Sequence, residues 1–285
     1  MILIKLQGGL GNQMFQYALG RSLSLRHNKP VKFDCSYFKT VNQSNRSFEL
    51  GAFNLSIDEA TSKEIDGYCG PINKLLDIAR AGDHKKYVIE KTNRFDPSII
   101  DKTEGYFDGH WNSEKYFKEY GSALRKDFRL KNSLGAEALD VQEKIGKCEN
   151  PVSVHVRRGD YVTIPKINQT HGILPVSYYQ DACKKIIESK PDAHFFVSSD
   201  DIDWAKENFP KNNAMTFISS SGIKNHEELL LMSLCKHNIT ANSTFSWWAA
   251  WLNENPNKIV IAPSHWFANP KLTTADLIPP TWIQI

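Results

Sequence analysis

Two adjacent arginines follow an alternating apolar run in the sequence VSVHVRRGDY, which spans Val152 to Tyr161. Neighbouring guanidinium groups repel each other, so a fold that fixes Arg157 and Arg158 at a strand end must gain something in return. A bound anion is one such gain, because guanidinium groups donate bidentate hydrogen bonds to phosphate oxygens. The alternative is that both arginines are solvated at the surface. The pair alone therefore marks a candidate anion site without establishing it.

Two further polar clusters carry side chains that suit a nucleotide. The sequence SSDD contains Asp200, whose carboxylate can accept hydrogen bonds from N1 and the exocyclic amine of guanine. The sequence NSTFS places Ser243, Thr244 and Ser246 at a predicted helix start, where free backbone N–H groups favour phosphate. In the alternative interpretation, these aspartate and hydroxyl side chains only cap helices.

The elements that must position these clusters are indicated by the rhythm of the second half of the chain. The predicted strands are VSVHV, HFFVSS, AMTFI, HNITA and KIVIA, and helices are predicted from Ser177, near Trp204, from His226 and from Thr244. This alternation predicts a parallel sheet with helices on both faces. Ligands bind beyond the carboxyl ends of the strands in such sheets, so the three clusters should lie along one edge.

The N-terminal half begins in the same way but becomes less regular. ILIKL is a predicted strand, and a helix is predicted from about Asn12 with an apolar face formed by Phe15, Ala18, Leu19 and Leu23. After VKFD, the residues from about Thr40 to Gly82 carry weak helical signals, which favours an irregular or helical insertion. The polar sequence KIGKCENP indicates a boundary between an N-terminal domain, 1–149, and a C-terminal domain, 150–285.

A glycine-rich sequence, GGLGNQ, joins the first predicted strand to the first helix. Gly11 and its neighbours permit the backbone to approach a ligand, and the amides of Asn12 and Gln13 can hydrogen-bond to a sugar or a diphosphate. The alternative is that the glycines only turn the chain. A NAD site is not expected, because the third glycine position of the GxGxxG pattern, counted from Gly9, falls on Met14.

Composition excludes several classes of protein. The 285 residues carry a net charge of +3 without a dense basic stripe, so nucleic acid is not an expected partner. The five cysteines lack CxxC spacing and nearby histidines, which predicts reduced thiols in the core and neither a zinc site nor a disulfide framework. The sequence has no signal-peptide pattern and no apolar run of about 18 residues, so we expect a cytoplasmic protein without a membrane span.

Five segments of the chain occur together as a set of motifs: GGLGNQMFQYALG, GYFDGHWNSEKYF, HVRRGDYV, FVSSDDIDWAKENF and NSTFSWWAAWL. In this order and spacing they resemble the α1,2-fucosyltransferases of glycosyltransferase family 11, and the likeness extends across nearly the whole chain. The resemblance implies an α/β fold of GT-B type, with two Rossmann-like domains facing each other across a cleft. The N-terminal domain is then the acceptor side, and the C-terminal domain binds GDP-fucose.

The resemblance also implies a reaction. L-Fucose moves with inversion from GDP-β-L-fucose to the 2-hydroxyl of a β-galactoside, without a metal ion or a cofactor, for a bacterial surface glycan. The acceptor is an oligosaccharide or a lipid-linked glycan, and the second case would bring the enzyme to the inner face of the plasma membrane. Two alternatives stay open: a transferase that uses another GDP-sugar or makes another fucosyl linkage, and a catalytically silent nucleotide-sugar binding protein.

Residue roles follow from the same resemblance. Arg157 is the main pyrophosphate residue, because GDP departure builds negative charge that a fixed arginine stabilises, and Arg158 either assists or braces the loop. Asp160 is either the base that takes the acceptor proton or a structural partner of the arginines. Other candidates on the acceptor side are Glu49, Asp108 and the segment GHWNSEKYF. The implied donor-binding residues are Gly11, Asn12, Gln13, His155, Arg157, Arg158, Asp200, Ser243, Thr244, Phe245 and Ser246.

The tryptophans have two interpretations. At helical spacing, one apolar face is formed by Phe245, Trp248, Ala249 and Leu252, which predicts that Trp248 lies in the core. Trp111 and Trp266 fall in predicted loops, where an indole face could stack on the acceptor sugar.

Overall fold

The computed structural model describes residues 1–39, 46–70, 86–210 and 214–285. The chain forms two compact units, one of Met1–Lys131 with Ala275–Leu277 and one of Asn132–Thr274 with Ile278–Ile285. Each unit is built on a parallel sheet, which confirms the predicted α/β class. The predicted domain boundary, between residues 149 and 150, falls after a helix that the structure packs within the second unit.

The first unit contains a four-stranded sheet in the order β2-β1-β4-β3, with every pairing parallel. Its strands are β1 (Ile2–Lys5), β2 (Val31–Asp34), β3 (Tyr87–Ile89) and β4 (Gly105–Asp108). Its helices are α1 (Leu10–His27), α2 (Ser36–Lys39), α3 (Ser62–Cys69) and α4 (Gly121–Asp127). The four residues predicted to form the apolar face of α1 are all buried, which confirms that part of the prediction.

The second unit contains a six-stranded sheet in the order β10-β9-β8-β5-β6-β7, again parallel throughout. Its strands are β5 (Asn150–Val156), β6 (Ala193–Ser199), β7 (Met215–Phe217), β8 (His237–Ile239), β9 (Val260–Ala262) and β10 (Ile283–Gln284). Its helices are α5 (Ala136–Lys147), α6 (Gly159–Thr163), α7 (Pro165–His171), α8 (Val176–Ser189), α9 (Ile202–Asn208), α10 (Asn225–Leu234) and α11 (Thr244–Leu252).

Adjacent residues of β6 show that both faces of this sheet are covered. Successive side chains of a strand point to opposite faces. Phe195 packs against the core that includes Tyr179 and Ile186 of α8. Its neighbour Phe196 packs against the core that includes Ile145 of α5 and Leu231 of α10. The predicted sheet with helices on both faces is therefore confirmed.

The strand order of the second sheet reverses beside β5. From β5 the chain proceeds outward through β6 and β7, and it then returns to place β8 on the other side of β5. The loops that follow the two central strands, β5 and β8, therefore run in opposite directions and leave a crevice at the carboxyl edge, which is where open α/β sheets bind ligands. The arginine pair follows β5, and the NSTFS sequence follows β8.

Several sequence-based expectations need correction. Helix α11 is buried on almost every side, with Trp247, Trp248 and Trp251 all in the core, whereas Phe245 is only half-buried. The single apolar face predicted for this helix was therefore wrong, although the core placement of Trp248 is confirmed. The rings of Trp111 and Trp266 are 1% and 2% exposed, so they are core residues and offer no face to a sugar.

Three further expectations concern the predicted insertion, the cysteines and a membrane span. The predicted insertion from Thr40 to Gly82 lies partly outside the described residues, and its described part contains α3 and a short 3-10 turn, Leu50–Ala52. All five cysteines are free thiols. Cys35, Cys183 and Cys235 are buried, but Cys69 and Cys148 are only half-buried, so the prediction that the thiols lie in the core was wrong for these two. Among the described ranges, no helix combines the length and apolar character that a membrane crossing requires.

Candidate functional site

Arg157 lies at the centre of the polar edge of the second sheet. Its Nη2 atom donates to Oδ1 of Asp160 at 2.5 Å, and its Nη1 atom lies 2.8 Å from Oδ2 of Asp200. Its guanidinium carbon also lies 5.4 Å from the ring centroid of Tyr161. Burial by itself would lower the pKa of Arg157, but the two carboxylates outweigh it and hold that pKa above its usual value. The guanidinium is therefore a fixed and permanent positive charge.

Arg158 is held by a different set of contacts. Its Nε atom donates to Oδ2 of Asp201 at 3.0 Å, and its guanidinium carbon lies 3.9 Å from the ring centroid of Trp204. Both partners belong to the start of α9, which Asp201 caps through Oδ1 and the backbone N–H of Trp204. The side chains of the arginine pair therefore have separate anchors.

Asp200 connects the two arginines. Its Oδ1 atom accepts from the backbone N–H of Arg158 at 2.8 Å, while Oδ2 faces the guanidinium of Arg157. Gly159 makes this approach possible, because a Cβ atom at that position would stand 2.4 Å from Oδ2 of Asp200. Both oxygens of Asp200 are thus engaged by the arginine segment, and its predicted role at guanine stays a prediction.

The loop after β8 is joined to the same edge. The hydroxyl of Tyr161, whose ring lies beside Arg157, donates to the carbonyl oxygen of Asn242 at 2.9 Å. The side-chain amide of Asn242 donates in turn to the carbonyl oxygens of His171, Gly172 and Trp266. The ring of His155, at the end of β5, lies 5.5 Å from the ring of Phe245 in α11. The three polar clusters predicted from the sequence are therefore connected along the carboxyl edge of the second sheet, as expected.

His155 is an uncharged member of this edge. The residue is 3% exposed, and its Nδ1 atom has no hydrogen-bond partner among the described residues. Burial, with a smaller effect from the charge of Arg157, lowers the pKa of His155 to about 3. The ring is therefore neutral at physiological pH and carries one N–H donor.

The hydroxyl residues after β8 have structural uses as well. Ser243 caps α11 by accepting from the backbone N–H of Phe245, and Ser246 accepts from the N–H of Ala241 and donates to the carbonyl of Ser243. These contacts match the capping alternative, yet they also fix the start of α11 at the crevice, where its backbone N–H groups favour an anion.

The glycine-rich loop of the first unit follows β1, at the carboxyl edge of its own sheet. Gly8 has φ of +79°, a conformation that side chains rarely adopt. The amide of Gln13 is buried and occupied: Nε2 donates to the carbonyls of Gly8 and Ser47, and Oε1 accepts from the N–H of Glu49. These contacts give Gln13 a structural use in holding the loop. Donor binding by Gly11, Asn12 and Gln13 stays a prediction.

Sequence reasoning missed the helical hairpin formed by α6 and α7, which contributes Tyr161 and the carbonyl of His171 to the site. The ring of Tyr161 stacks on that of His171 at 4.9 Å, and the amide of Asn168 donates to the carbonyl oxygen of Tyr161. The signal in the sequence was the tyrosine that directly follows RRGD, which we interpreted only as part of the motif.

The three aspartates next to the arginine pair are each bound to one of its guanidinium groups. Asp160 and Asp200 bind Arg157, and Asp201 binds Arg158. Over the part of the chain that the structure describes, no group of three or more His, Cys, Asp or Glu side chains is arranged to hold a metal ion.

Comparison with known proteins identifies the family. The model of the family described as Glycosyl transferase family 11 matches residues 81–285. The chain belongs to this family. The α1,2-colitosyltransferase of Escherichia coli is 34% identical to this family 11 chain over 295 residues, which cover 100% of this chain and 99% of the relative. The O-antigen biosynthesis glycosyltransferase WbnK of E. coli is 32% identical, with 98% of this chain and 99% of WbnK covered.

A solved structure with a similar course of the chain is the fucosyltransferase NodZ from Bradyrhizobium. It is 14% identical to this family 11 protein and has a TM-score of 0.48, with 87% of this chain and 91% of NodZ covered.

Proposed function

We propose that this protein is an inverting, metal-independent glycosyltransferase that moves L-fucose from GDP-β-L-fucose to the 2-hydroxyl of a β-galactoside, forming an α1,2 linkage. The observation that carries the proposal is the fixed position of Arg157 at the crevice between β5 and β8. A guanidinium has five N–H donors, and the contacts with Asp160 and Asp200 use two of them, so the described part of the chain leaves three donors for a diphosphate.

The chemistry of the transfer requires such a cation. The bond from C1 of fucose to the β-phosphate oxygen breaks, and its electron pair leaves with GDP. The acceptor hydroxyl oxygen forms the new bond to C1 from the opposite face, and the hydroxyl proton passes to a weak base or to solvent water. Negative charge therefore grows on the β-phosphate as the bond breaks, and a positive group already fixed beside it lowers the barrier. We assign this role to Arg157, with the backbone N–H groups at the start of α11 as further donors to the diphosphate.

The contacts of Asp160 favour one of its two predicted roles. Its Oδ1 atom accepts from the guanidinium of Arg157 at 2.5 Å, so this oxygen is already engaged in holding the arginine. We therefore propose that Asp160 braces Arg157. Asp108 is also engaged, by Nζ of Lys5 and by the hydroxyl of Tyr87. A transition state with oxocarbenium character needs little deprotonation of the acceptor, so a weak base suffices.

A second candidate donor is favoured by a specific observation. The E. coli relative that shares 34% identity across the whole chain is named an α1,2-colitosyltransferase. Colitose is L-fucose without its 3-hydroxyl, so one site could accept both sugars unless it hydrogen-bonds to that hydroxyl. A site built to bind a hydroxyl rejects the analogue that lacks it by about 10⁴-fold or more, whereas a site without such contacts discriminates weakly.

The biological setting that we propose is the assembly of a bacterial surface glycan in the cytoplasm. The support is the E. coli relative WbnK, which is named an O-antigen biosynthesis glycosyltransferase and matches 98% of this chain. The acceptor is then an oligosaccharide or a lipid-linked glycan, and the lipid-linked case would place the protein at the inner face of the plasma membrane.

The experiment that tests the proposal supplies GDP-fucose and GDP-colitose in parallel to a panel of β-galactosides and measures GDP release and product mass. We expect transfer from GDP-fucose to a terminal β-galactoside, with the α1,2 linkage established by NMR and activity retained in EDTA. Transfer only from GDP-colitose would establish the second candidate. Binding of GDP without transfer would identify a catalytically silent nucleotide-sugar binding protein, and activity that is lost in EDTA and restored by Mn²⁺ would refute the metal-independent mechanism.

A further inference from the structure

We propose that Asp201 and Trp204 of α9, together with Arg158, form a clamp that positions Arg157, and that Arg158 itself does not contact the ligand. This inference rests on the proposed function, because the group that Arg157 meets is the departing diphosphate. It concerns α9, whose side chains have no part in the proposed chemistry.

Arg157 and Arg158 have different neighbours beyond the end of β5. The neighbours of Arg157 include Tyr161, whose hydroxyl bonds to Asn242 in the loop after β8, so Arg157 lies toward the crevice. The side-chain neighbours of Arg158 follow β6, which lies on the other side of β5. Asp200, which also follows β6, contacts Arg157 as well. The guanidinium of Arg157 lies in addition beside Tyr161, which is bonded to the loop after β8, and this contact places Arg157 nearer to the switch point.

The side chain of Arg158 is fixed by two contacts. Its guanidinium carbon lies over the indole of Trp204, 3.9 Å from the ring centroid, and its Nε donor is used by Asp201. A guanidinium stacked on an indole and paired with a carboxylate has little freedom to turn toward a second anion. The side chain of Arg158 is only 18% exposed.

The fixed side chain of Arg158 is connected to Arg157 through the carboxylate of Asp200. When the side chain of Arg158 is fixed, its peptide group is fixed as well, and the N–H of that peptide donates to Oδ1 of Asp200 at 2.8 Å. The other oxygen of the same carboxylate lies 2.8 Å from Nη1 of Arg157. The orientation of Arg157 is therefore set through Asp200 by a residue that lies outside the crevice.

Loss of the contact between Arg158 and Trp204 should lower the rate of turnover. Effective catalysis requires the donors to stand where charge develops, and a displacement of about 1 Å can reduce the rate by about 100-fold. We expect Arg158→Ala and Trp204→Leu to lower kcat by about 10- to 100-fold on these grounds. Trp204→Phe keeps an aromatic face and should restore most of the rate. Lys206→Ala, on the exposed side of the same helix, is the matched control and should leave the rate unchanged.

A double-mutant cycle separates positioning from direct contact. In an Arg157→Ala background, Arg158→Ala and Trp204→Leu should cause no further loss of GDP affinity, measured by calorimetry, because the residue on which they act is absent. A further loss of GDP affinity from Arg158→Ala in that background would overturn the proposal, since it would mean that Arg158 touches the diphosphate.

A ligand-free measurement keeps the proposal independent of the proposed function. Side-chain ¹⁵N NMR of the arginines, with Arg157 assigned from Arg157→Ala, should show displaced or broadened Arg157 signals in Trp204→Leu and wild-type signals in Lys206→Ala. Unchanged Arg157 signals in Trp204→Leu would overturn the clamp even if the enzyme transfers fucose. If the wild-type protein binds no GDP, the proposed function fails, and this NMR comparison still decides whether α9 positions Arg157.

Discussion

The guanidinium of Arg157 is paired with the carboxylate of Asp200, with Nη1 and Oδ2 separated by 2.8 Å, although three helices, α6 to α8, and strand β6 lie between them in the chain. This pairing joins the end of β5 to the end of β6 at the carboxyl edge of the second sheet. It fixes a cation where the strand order reverses, and the proposed reaction depends on that cation.

Arg157→Ala should abolish most transfer while the fold is retained. Loss of a charged contact made at the departing diphosphate costs about two decades in rate or more. Arg157→Lys keeps the charge but lacks the planar fork, so we expect an intermediate rate. GDP release measures both rates, with Lys184→Ala on the exposed side of α8 as the control. Near-normal turnover by Arg157→Ala would remove Arg157 from the mechanism.

Gly159→Ala tests the approach of Asp200 to Arg157. The added Cβ atom would stand 2.4 Å from Oδ2 of Asp200, so the carboxylate must move away from the guanidinium. We expect turnover to fall by about 10- to 100-fold with little change in melting temperature. Gly146→Ala in α5 is a matched control, because its Cβ atom would meet no described atom within 4 Å, and it should leave turnover unchanged. Equal activity of the two variants would show that Asp200 does not orient Arg157.

His155→Phe should shift acid unfolding to lower pH. Burial above all, and the charge of Arg157 as well, lower the pKa of folded His155 to about 3, whereas the pKa of an unfolded histidine is about 6.5. Between these values the unfolded chain binds more protons, so the wild-type protein loses stability as pH falls from about 6.5 toward 3. Phenylalanine cannot bind that proton. Circular dichroism during acid titration measures the shift, with the exposed His265→Phe as the control, and identical midpoints for His155→Phe and the wild type would contradict it.

Asp276→Asn should destabilise the first unit near neutral pH. The carboxylate accepts from Nε of Arg94 at 2.8 Å and from Nζ of Lys115 at 2.6 Å, and its side chain is 8% exposed. Burial raises the pKa of Asp276, but the hydrogen bonds from Lys115 and Arg94 outweigh that effect and leave the pKa below its usual value. The carboxylate therefore stabilises the fold above the unfolded pKa of about 3.9 and loses this contribution as pH falls through the folded pKa.

The expected loss for Asp276→Asn is about 2 kcal/mol at pH 7, because hydrogen bonds to charged groups contribute about 1.5–3 kcal/mol. Urea unfolding at pH 7 and below pH 4 measures the difference, which should shrink in acid. Asp203→Asn is the control, since that side chain is 89% exposed and pairs only weakly with Lys206. A loss of the same size at both pH values would mean that packing, and not the charge, is responsible.

Much of the second unit could be predicted from the sequence because its strands and helices alternate with clear periodicity. Each predicted strand and each predicted helix of that half is present, and the convergence of three polar clusters followed from the rule that parallel strands end at the same edge. Hairpin α6–α7 could not be predicted in this way, since Gly159 and Pro165 interrupt any helical pattern.

The roles of single side chains depend on contacts between distant segments, which no local pattern contains. Asp200 was predicted to meet guanine from its position after β6, whereas its contacts with Arg157 and Arg158 appear only when β5 and β6 lie side by side. Trp111 looked like an exposed loop residue, yet its ring is buried against Phe107 and Tyr116. The burial of Trp111 results from the packing of the whole unit and is not encoded in the residues next to it in the sequence.

The amide of Asn242 donates to three carbonyl oxygens, at 2.9 Å from His171, 3.3 Å from Gly172 and 3.2 Å from Trp266. Two stretches of backbone, at His171–Gly172 and at Trp266, are thereby tied to one side chain before any nucleotide sugar arrives. Ordering flexible backbone on association costs about 1–2 kcal/mol for each residue. An edge that is already rigid avoids most of this entropic penalty, so contacts with the incoming donor can contribute almost fully to affinity and to the acceleration of bond cleavage.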